Sequence, residues 1–243
     1  MAYREDKDLE FLQYLDSKDL DQLVDILIYD TDGKKRFTEE LSNSKEYNKY
    51  YPDHNKYWKK ITEEIQRFGG NSFANLLRGD KGVLYKEILI DVCNKLKVNY
   101  NQNSSVEKIE NNLLMKILED ALEKMSDKER KEFAKSVGLK NVQDFSAQAM
   151  IVAFQTLFKL GGFTSYQLTV IIANVILKAL IGRGLPFAGN MVLTKTMSIL
   201  TGPIGWVVTG LWTAIDIAGP AYRVTIPTVI EIVALRQKYL YES

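Results

Sequence analysis

The sequence is poor in the residues from which most catalytic and metal sites are built. Among its 243 residues there is one histidine and one cysteine. No Glu-x-x-His pair occurs, which excludes the usual di-iron helical bundle. There is also no phosphate-binding loop and no nucleophile motif. We therefore expect no enzymatic activity, no cofactor and no metal site.

The single cysteine, Cys93, excludes an internal disulfide and is typical of a reducing compartment. No apolar signal segment follows the charged residues at positions 4–8, so we expect a cytoplasmic protein. Cys93 lies beside the apolar face of a predicted helix and has no basic neighbour in sequence, which indicates a buried structural thiol. The one histidine, His54, stands among polar residues at a predicted helix start, and we interpret it as solvated rather than catalytic.

Charge is scarce in the last 96 residues of the chain. Residues 148–243 contain seven Lys/Arg and three Asp/Glu, against 25 and 28 in the residues before them. The net charge of +1 and this distribution lack the basic footprint of a nucleic-acid-binding protein. The asymmetry predicts two regions with different surroundings.

Apolar residues recur at helical spacing, and through residue 138 no segment alternates with the period of two that a strand requires. We therefore predict an all-α protein, a multi-helix bundle. A charged N-terminal helical region is expected over residues 1–145 and an apolar C-terminal helical region over residues 146–243, packed together as one unit. Capping-box spacing at Ser104 to Glu107 and at Ser126 to Glu129 marks two helix starts in the first region. Glycine and proline divide the second region into predicted helices at about 144–160, 164–181, 188–200, 204–218 and 226–240.

One uncharged run is long enough to cross a membrane. Thr196–Ile215 spans twenty residues without a charge, and a transmembrane helix needs about 20. Gly202-Pro203 interrupts the run, so a hairpin over residues 164–218, buried in a soluble bundle, is the favoured interpretation. Insertion of that hairpin into a membrane is the alternative, and a constitutive multi-span protein ranks below both. The candidate membrane contacts are Trp206, Gly210 and Trp212.

A glycine-rich corner is a candidate interaction or structural motif. Gly69 and Gly70 allow one helix to end in left-handed geometry, and Asn71 can cap the next helix. Backbone amides at that helix start, with Arg78 nearby, would suit an anion. The corner lacks the spacing and the Lys-Ser/Thr of a nucleotide-binding loop, so a tight interhelical connection is the favoured interpretation.

A second candidate motif of the same kind comprises Tyr222, Arg223 and Pro227. Thr225 is predicted to cap the last helix, with Pro227 in its first turn, where a missing amide is no loss. Arg223 would need an acidic partner if it were buried between apolar helices. We favour a structural ion pair over an active-site arginine, and the nearest acids in sequence are Asp216 and Glu231.

Several stretches of the chain resemble the bacterial YaaW family, in order and over nearly the whole length. The residues that carry the resemblance are those at 6–12, 68–72, 74–75, 77–79, 84–85, 91–92 and 221–227. The family is uncharacterised and supplies no catalytic residues. Some of its members bear the label of a ubiquinol–cytochrome c chaperone family, which implies a chaperone or assembly role.

Three functions from different classes fit these observations. We favour a non-enzymatic helical protein that binds a protein partner through apolar or aromatic surface, as a chaperone or assembly factor does. The alternative is a membrane-active protein that inserts its stored hairpin at the inner membrane, in the manner of pore-forming domains, with membrane lipid as its partner. An enzyme that gathers carboxylates across helices is the third. The sequence specifies neither the partner nor the oligomeric state.

Overall fold

The computed structural model describes residues 3–70, 82–139, 142–185, 199, 201–203, 205, 207 and 221–242. Within these ranges the regular structure is helical apart from one isolated bridge between Tyr29 and Lys35. The all-α prediction is confirmed. The α-helices are α1 (Ser17–Ile28), α2 (Lys45–Tyr50), α3 (Trp58–Gly70), α4 (Tyr85–Lys95), α5 (Val106–Lys124), α6 (Asp127–Ser136), α7 (Ala147–Leu160), α8 (Gly162–Ile181) and α9 (Tyr222–Glu242).

Local capping fixes the starts of α5 and α6. The capping box predicted at α6 is confirmed, because Ser126 Oγ accepts from the Glu129 amide and Glu129 accepts from the Ser126 amide. The capping box predicted at Ser104 to Glu107 is wrong by one residue, because the N-cap of α5 is Ser105 and not Ser104. Its hydroxyl accepts from the amide of Lys108 at 3.4 Å, which satisfies one of the unpaired donors of the first turn.

The last helix starts earlier than predicted. It begins at Tyr222, so Thr225 is not its N-cap and Pro227 lies inside the helix. The Thr225 hydroxyl donates instead to the Ala221 carbonyl, the bond that a threonine within a helix makes to the preceding turn. Pro227 is buried, and packing around it offsets the intrahelical hydrogen bond that its ring cannot donate.

Helix α9 lies at the centre of the molecule. Every residue from Val224 to Arg236 is buried, which is typical of a helix surrounded on all sides. It contacts α8, α1, α4, α3 and a short 3-10 helix at Glu10–Tyr14. The charged N-terminal half of the chain therefore supplies much of the surroundings of the C-terminal helix.

Helix α8 is the one helix among the described residues that is long and apolar enough to cross a membrane. In this structure most of it is buried, including every residue from Leu168 to Leu177. It packs along α9 in the opposite direction, since Phe163 near its start contacts Tyr241 near the end of α9. The predicted break after this helix is present, because Gly182 ends it with φ of 73°.

A buried ion pair connects α9 to the N-terminal half. Arg236 Nε lies 2.9 and 3.1 Å from the two carboxylate oxygens of Glu110 on α5. Arg236 Nη2 donates to the carbonyl of Asp8 at 2.7 Å, and Tyr85 on α4 donates to Glu110 at 2.7 Å. Burial raises the pKa of Glu110, and Arg236 and the Tyr85 hydroxyl oppose that rise. Phe11 lies 4.6 Å from the guanidinium and Tyr85 5.5 Å, so three segments of the chain converge on this side chain of α9.

Replacing Arg236 by Met should lower the free energy of unfolding by about 3–5 kcal/mol, because it leaves the Glu110 carboxylate buried without its cation. Arg223→Met is the matched control, since Arg223 is exposed on the same helix and a surface substitution changes stability by only about 0.5 kcal/mol. Urea unfolding followed by circular dichroism measures both. Equal losses for the two variants would contradict a central role for the buried pair.

Candidate interaction surface

The two candidate motifs from the sequence, the glycine-rich corner and the segment that begins at Tyr222, both contact helix α4. A Cβ placed on Gly69 would lie 2.5 Å from Ile88 Cγ1 of α4, so the approach of α3 requires glycine at that position. At the start of α9, Tyr222 donates to Asp91 of α4, and burial together with that carboxylate raises the pKa of Tyr222 to about 12. The ammonium of Lys95, also on α4, lies 5.8 Å from the Tyr222 ring. Both motifs therefore have packing roles around α4.

The other candidate residues are less closely grouped. Gly70 ends α3, and Arg223 is exposed at the start of α9. Glu231, one of the two acids predicted to pair with Arg223, accepts instead from Gln22 at 2.9 Å. Pro227 is buried within α9. The remaining predicted residues lie outside those that the structure describes, and they are Asn71, Arg78, Trp206, Gly210, Trp212 and Asp216.

The prediction that His54 is solvated is wrong. His54 is buried, with Nε2 2.9 Å from Asp21 of α1 and Nδ1 in hydrogen-bond contact with the hydroxyl of Tyr57. Burial lowers the pKa of His54, and the carboxylate of Asp21 opposes that shift. Because both ring nitrogens bind neighbouring side chains, the histidine joins α1 to the 3-10 turn at His54–Tyr57.

Cys93 is buried, as its place beside the apolar face of α4 predicted. Burial raises the pKa of its thiol to about 12, so the reactive thiolate is absent at neutral pH. This environment suits a packing residue and not a nucleophile.

Glu231 is an acidic side chain inside the core that the sequence did not single out as special. One oxygen accepts from Gln22, and the other, Oε1, has no hydrogen-bond partner among the described residues. Burial, with a smaller contribution from Asp19, raises the pKa of Glu231 to about 8. Its carboxyl group therefore carries a proton at neutral pH, which removes the cost of burying a charge.

A groove of about 840 Å³ runs between α5 and α7. Met115 and Phe158 are its buried apolar residues, and four lysines line it, at positions 97, 108, 116 and 159. Carboxylates at two further positions, 107 and 119, also line the groove. Because Lys116 is paired with Asp120 at 2.6 Å, three ammonium groups are left against two carboxylates, an excess of one charge that gives only a weak preference for an anion.

Large apolar side chains are exposed together at one end of α8 and α9. Leu160 and Phe163, on either side of the Gly161-Gly162 corner, expose 76% and 53% of their surface. Leu240 and Tyr241, near the end of α9, expose 52% and 48%. The rings of Phe163 and Tyr241 lie 5.6 Å apart, so the two helix ends form one surface.

Stacked tyrosines extend this surface on both sides of α9. Tyr241 stacks on the buried Tyr166 with ring centroids 4.7 Å apart. Tyr239 stacks on Tyr14 at 5.9 Å and contacts Phe11 at 5.8 Å. We call this surface the aromatic end, and it consists of Tyr14, Leu160, Phe163, Tyr239, Leu240 and Tyr241.

The sequence held a signal for the aromatic end that we did not use. Tyr239, Leu240 and Tyr241 are consecutive, and three consecutive residues of an α-helix spread over about 200° of its circumference. Such a run at a helix terminus cannot all face one neighbour. Part of it is therefore left at the surface.

Two family models together match most of the chain. The model described as "Ubiquinol-cytochrome C chaperone" matches residues 53–230. The model described as "Domain of unknown function (DUF3944)" matches residues 3–37. The two matches together cover the helices that contact α9 and the part of α9 up to residue 230. No solved structure matches the chain.

Curated relatives resemble the chain over nearly its full length. A "UPF0174 protein" of Helicobacter pylori strain J99 is 55% identical over 238 residues, which are 98% of this chain and 94% of the relative. A second protein of that name and strain is 48% identical over 82% of this chain and 97% of its own length. The "UPF0174 protein YaaW" of Escherichia coli K12 is 31% identical over 97% of this chain and 95% of its own length.

The buried carboxyl of Glu231 should make stability depend on pH. The folded protein holds the proton up to a pKa of about 8, and the ordinary value is 4.5. The free energy of unfolding should therefore fall by about 1.4 kcal/mol per unit as pH rises between these values. Glu231→Gln keeps an acceptor for Gln22 and does not titrate. Its free energy of unfolding, measured relative to that of the wild type, should therefore rise steadily across this interval.

Urea unfolding at four pH values between 5.5 and 8.5 measures this difference. Glu46→Gln is the control, because Glu46 is exposed and its replacement should leave the pH profile of the wild type unchanged. Parallel profiles for the wild type and Glu231→Gln would show that Glu231 does not hold its proton in the folded state.

Proposed function

This chain belongs to the UPF0174 family that includes YaaW, and on that premise we propose that it is a non-catalytic, chaperone-like protein that holds an apolar segment of a partner protein on its aromatic end. The exposed aromatic end is the observation that carries the proposal. The description of the matching family model as a chaperone supports it. The burial of Cys93, His54 and Glu231, which keeps these groups from a substrate, also supports a non-catalytic role.

The side chains of the aromatic end are contiguous. Scattered apolar residues are normal on a protein surface, but grouped ones mark interaction sites. Phe37 is an example of the first kind, since it is fully exposed and makes no ring contact among the described residues. Phe163 and Tyr241 are examples of the second, because their ring centroids lie 5.6 Å apart and the exposed Leu160 and Leu240 are within three positions of them in the chain.

The aromatic end is also held rigidly. Tyr241 rests on Tyr166 of α8, and Tyr239 rests on Phe11 of the N-terminal 3-10 helix. Rings that are already ordered lose little conformational entropy when a partner binds them. Tyrosine in addition offers an apolar face and a hydroxyl group, which is why it is enriched at protein interfaces. The surface therefore suits partner segments that differ in sequence but share apolar side chains.

Replacing Phe163 or Tyr241 by Asp should weaken binding of apolar polypeptide about tenfold or more, which corresponds to the loss of an interface residue worth about 1.4 kcal/mol or more. The measurement is the concentration of this protein that halves the aggregation of a denatured globular protein diluted into buffer. Phe37→Asp is the matched control, because it introduces the same charge at an isolated exposed aromatic position.

The proposal is supported if the wild type and Phe37→Asp protect equally well against aggregation and the other two variants protect less. Absence of any protection by the wild type, or equal protection by all three variants, would contradict it. Thermal unfolding of each variant checks that the native fold is retained.

Insertion of the hairpin at residues 164–218 into a membrane is the second candidate function. The observation in its favour is the length and apolar character of α8. Insertion would require α8 to separate from α9, which exposes the residues from Leu168 to Leu177 that the bundle now buries. The energetic cost of that separation favours the protein-binding role.

Flotation with detergent-free liposomes separates the two candidate functions. The protein-binding proposal predicts that the wild type stays in the protein fraction. Hairpin insertion predicts that the wild type floats with lipid and that Trp206→Ala and Gly210→Leu reduce the floating fraction. Flotation that Phe163→Asp alone abolishes would indicate surface adsorption of the aromatic end instead of insertion.

A further inference from the structure

A small pocket adjoins the aromatic end between the start of α1 and the end of α9. Its volume is about 310 Å³. Aromatic rings and carboxylates share its lining, a combination that the apolar part of the surface lacks. The residues that line it are Tyr14, Leu15, Asp16, Asp19, Tyr239 and Glu242.

The aromatic side of this pocket presents ring faces to solvent. Tyr14 exposes 67% of its surface and stacks on Tyr239 with an angle of 17° between the rings. Phe11 supports Tyr239 from the other direction at 5.8 Å. The face of an aromatic ring carries partial negative charge, so an exposed and supported tyrosine face attracts a cation.

The charged side of the pocket has more carboxylates than ammonium groups. Asp16, Asp19 and Glu242 line it, and the ammonium of Lys238 lies 2.5 Å from Asp19 and 3.8 Å from Glu242. One ammonium group therefore faces three carboxylates, and the excess charge is negative by two. Such an excess favours a cationic ligand and disfavours an anionic one.

Asp16 is oriented in an unusual way for its position. It is the N-cap residue of α1, where an aspartate ordinarily accepts a hydrogen bond from an amide of the first turn. Its side chain makes no such capping bond, and the residue is exposed. The carboxylate of Asp16 is therefore not used by the helix that it precedes and lies at the pocket instead.

Two of the carboxylates are near both groups of tyrosines. Asp19 and Glu242 line the pocket beside Tyr239, and the same two carboxylates contribute to the rise in the pKa of Tyr166, whose largest cause is burial. Tyr166 is the residue on which Tyr241 stacks. A segment that lies across the aromatic end therefore meets apolar rings and then negative charge within a short distance.

From this arrangement we infer that the pocket binds an arginine or lysine side chain of the same partner segment whose apolar residues occupy the aromatic end. This inference rests on the proposed function and adds the chemical class of the partner, an apolar segment with a neighbouring basic residue. Arginine fits better than lysine, because its planar guanidinium stacks on Tyr14 while it donates to the carboxylates of Asp16 and Glu242.

Two labelled peptides test the inference in fluorescence-anisotropy titrations with the full chain. Both carry the same leucine and phenylalanine side chains, and they differ in one residue, which is arginine in the first and the uncharged isostere citrulline in the second. The wild type should bind the arginine peptide about tenfold more tightly at low ionic strength. The difference should shrink as sodium chloride is added, because salt screens exposed charges.

Two variants locate the effect in the pocket. Asp16→Asn combined with Glu242→Gln should bring the affinity for the arginine peptide down to that for the citrulline peptide. Asp32→Asn combined with Glu46→Gln removes the same number of exposed charges from positions that do not line the pocket and should preserve the tenfold difference. Tyr14→Leu should reduce the difference by removing the ring face while retaining an apolar residue.

The outcomes separate this inference from the function on which it rests. Equal affinity of the wild type for both peptides overturns the cation pocket and leaves apolar binding at the aromatic end intact. Failure of the wild type to bind either peptide contradicts both. A tenfold preference that both double variants retain, or both lose, overturns the assignment to Asp16 and Glu242, because the effect would then not depend on the pocket.

Discussion

A helix that is buried on every side depends on its neighbours for partners to its charged and polar side chains. Helix α9 is such a helix, and the polar residues it carries toward its end are Glu231, Arg236 and Lys238. Each of the three has a partner in the charged N-terminal half, and these partners are Gln22, Glu110 and Asp19. Removing α9 would leave Glu110 buried without a cation, which costs more than the pair contributes when it is intact. These contacts therefore couple the stability of the charged half of the chain to that of its last helix.

Helix α8 is attached in a different way. The polar side chains in its buried middle, Thr169 and Asn174, are uncharged, and Asn174 accepts from the amide of Leu185 just beyond the same helix. The attachment of α8 to α9 is therefore almost entirely apolar. Apolar contacts have no fixed partner and can be exchanged for lipid, whereas the ion pair of Arg236 cannot. Of these two helices, α8 is therefore the one that lipid could take from the bundle while α9 stays in place.

Helix periodicity and capping chemistry are local properties, and the sequence predicted them well. Ser126 and Glu129 form the predicted capping box because both partners lie within one turn. Apart from the misplaced N-caps of α5 and α9, the errors concern contacts between distant residues. His54 has polar neighbours in sequence, but its environment is set by Asp21, more than thirty positions away. Burial of Arg236 likewise depends on Glu110, which no local pattern connects to it.

Predicting the aromatic end requires both local sequence patterns and contacts between distant residues. The run of Tyr239, Leu240 and Tyr241 was visible in the sequence, but its neighbours depend on tertiary packing. Phe163 reaches it through the antiparallel packing of α8 and α9, and Tyr14 through the packing of the N-terminal 3-10 helix against α9. Helix α9 is continuously buried up to Arg236, and none of the residues at 237–242 is buried.

The ion pair of Arg236 thus lies about one turn before the point where the aromatic side chains reach the surface. Because the buried ion pair fixes the helix at Arg236, it also restrains the turn that follows. The same contact that joins the two halves of the molecule therefore also orders the surface on which we propose that a partner binds.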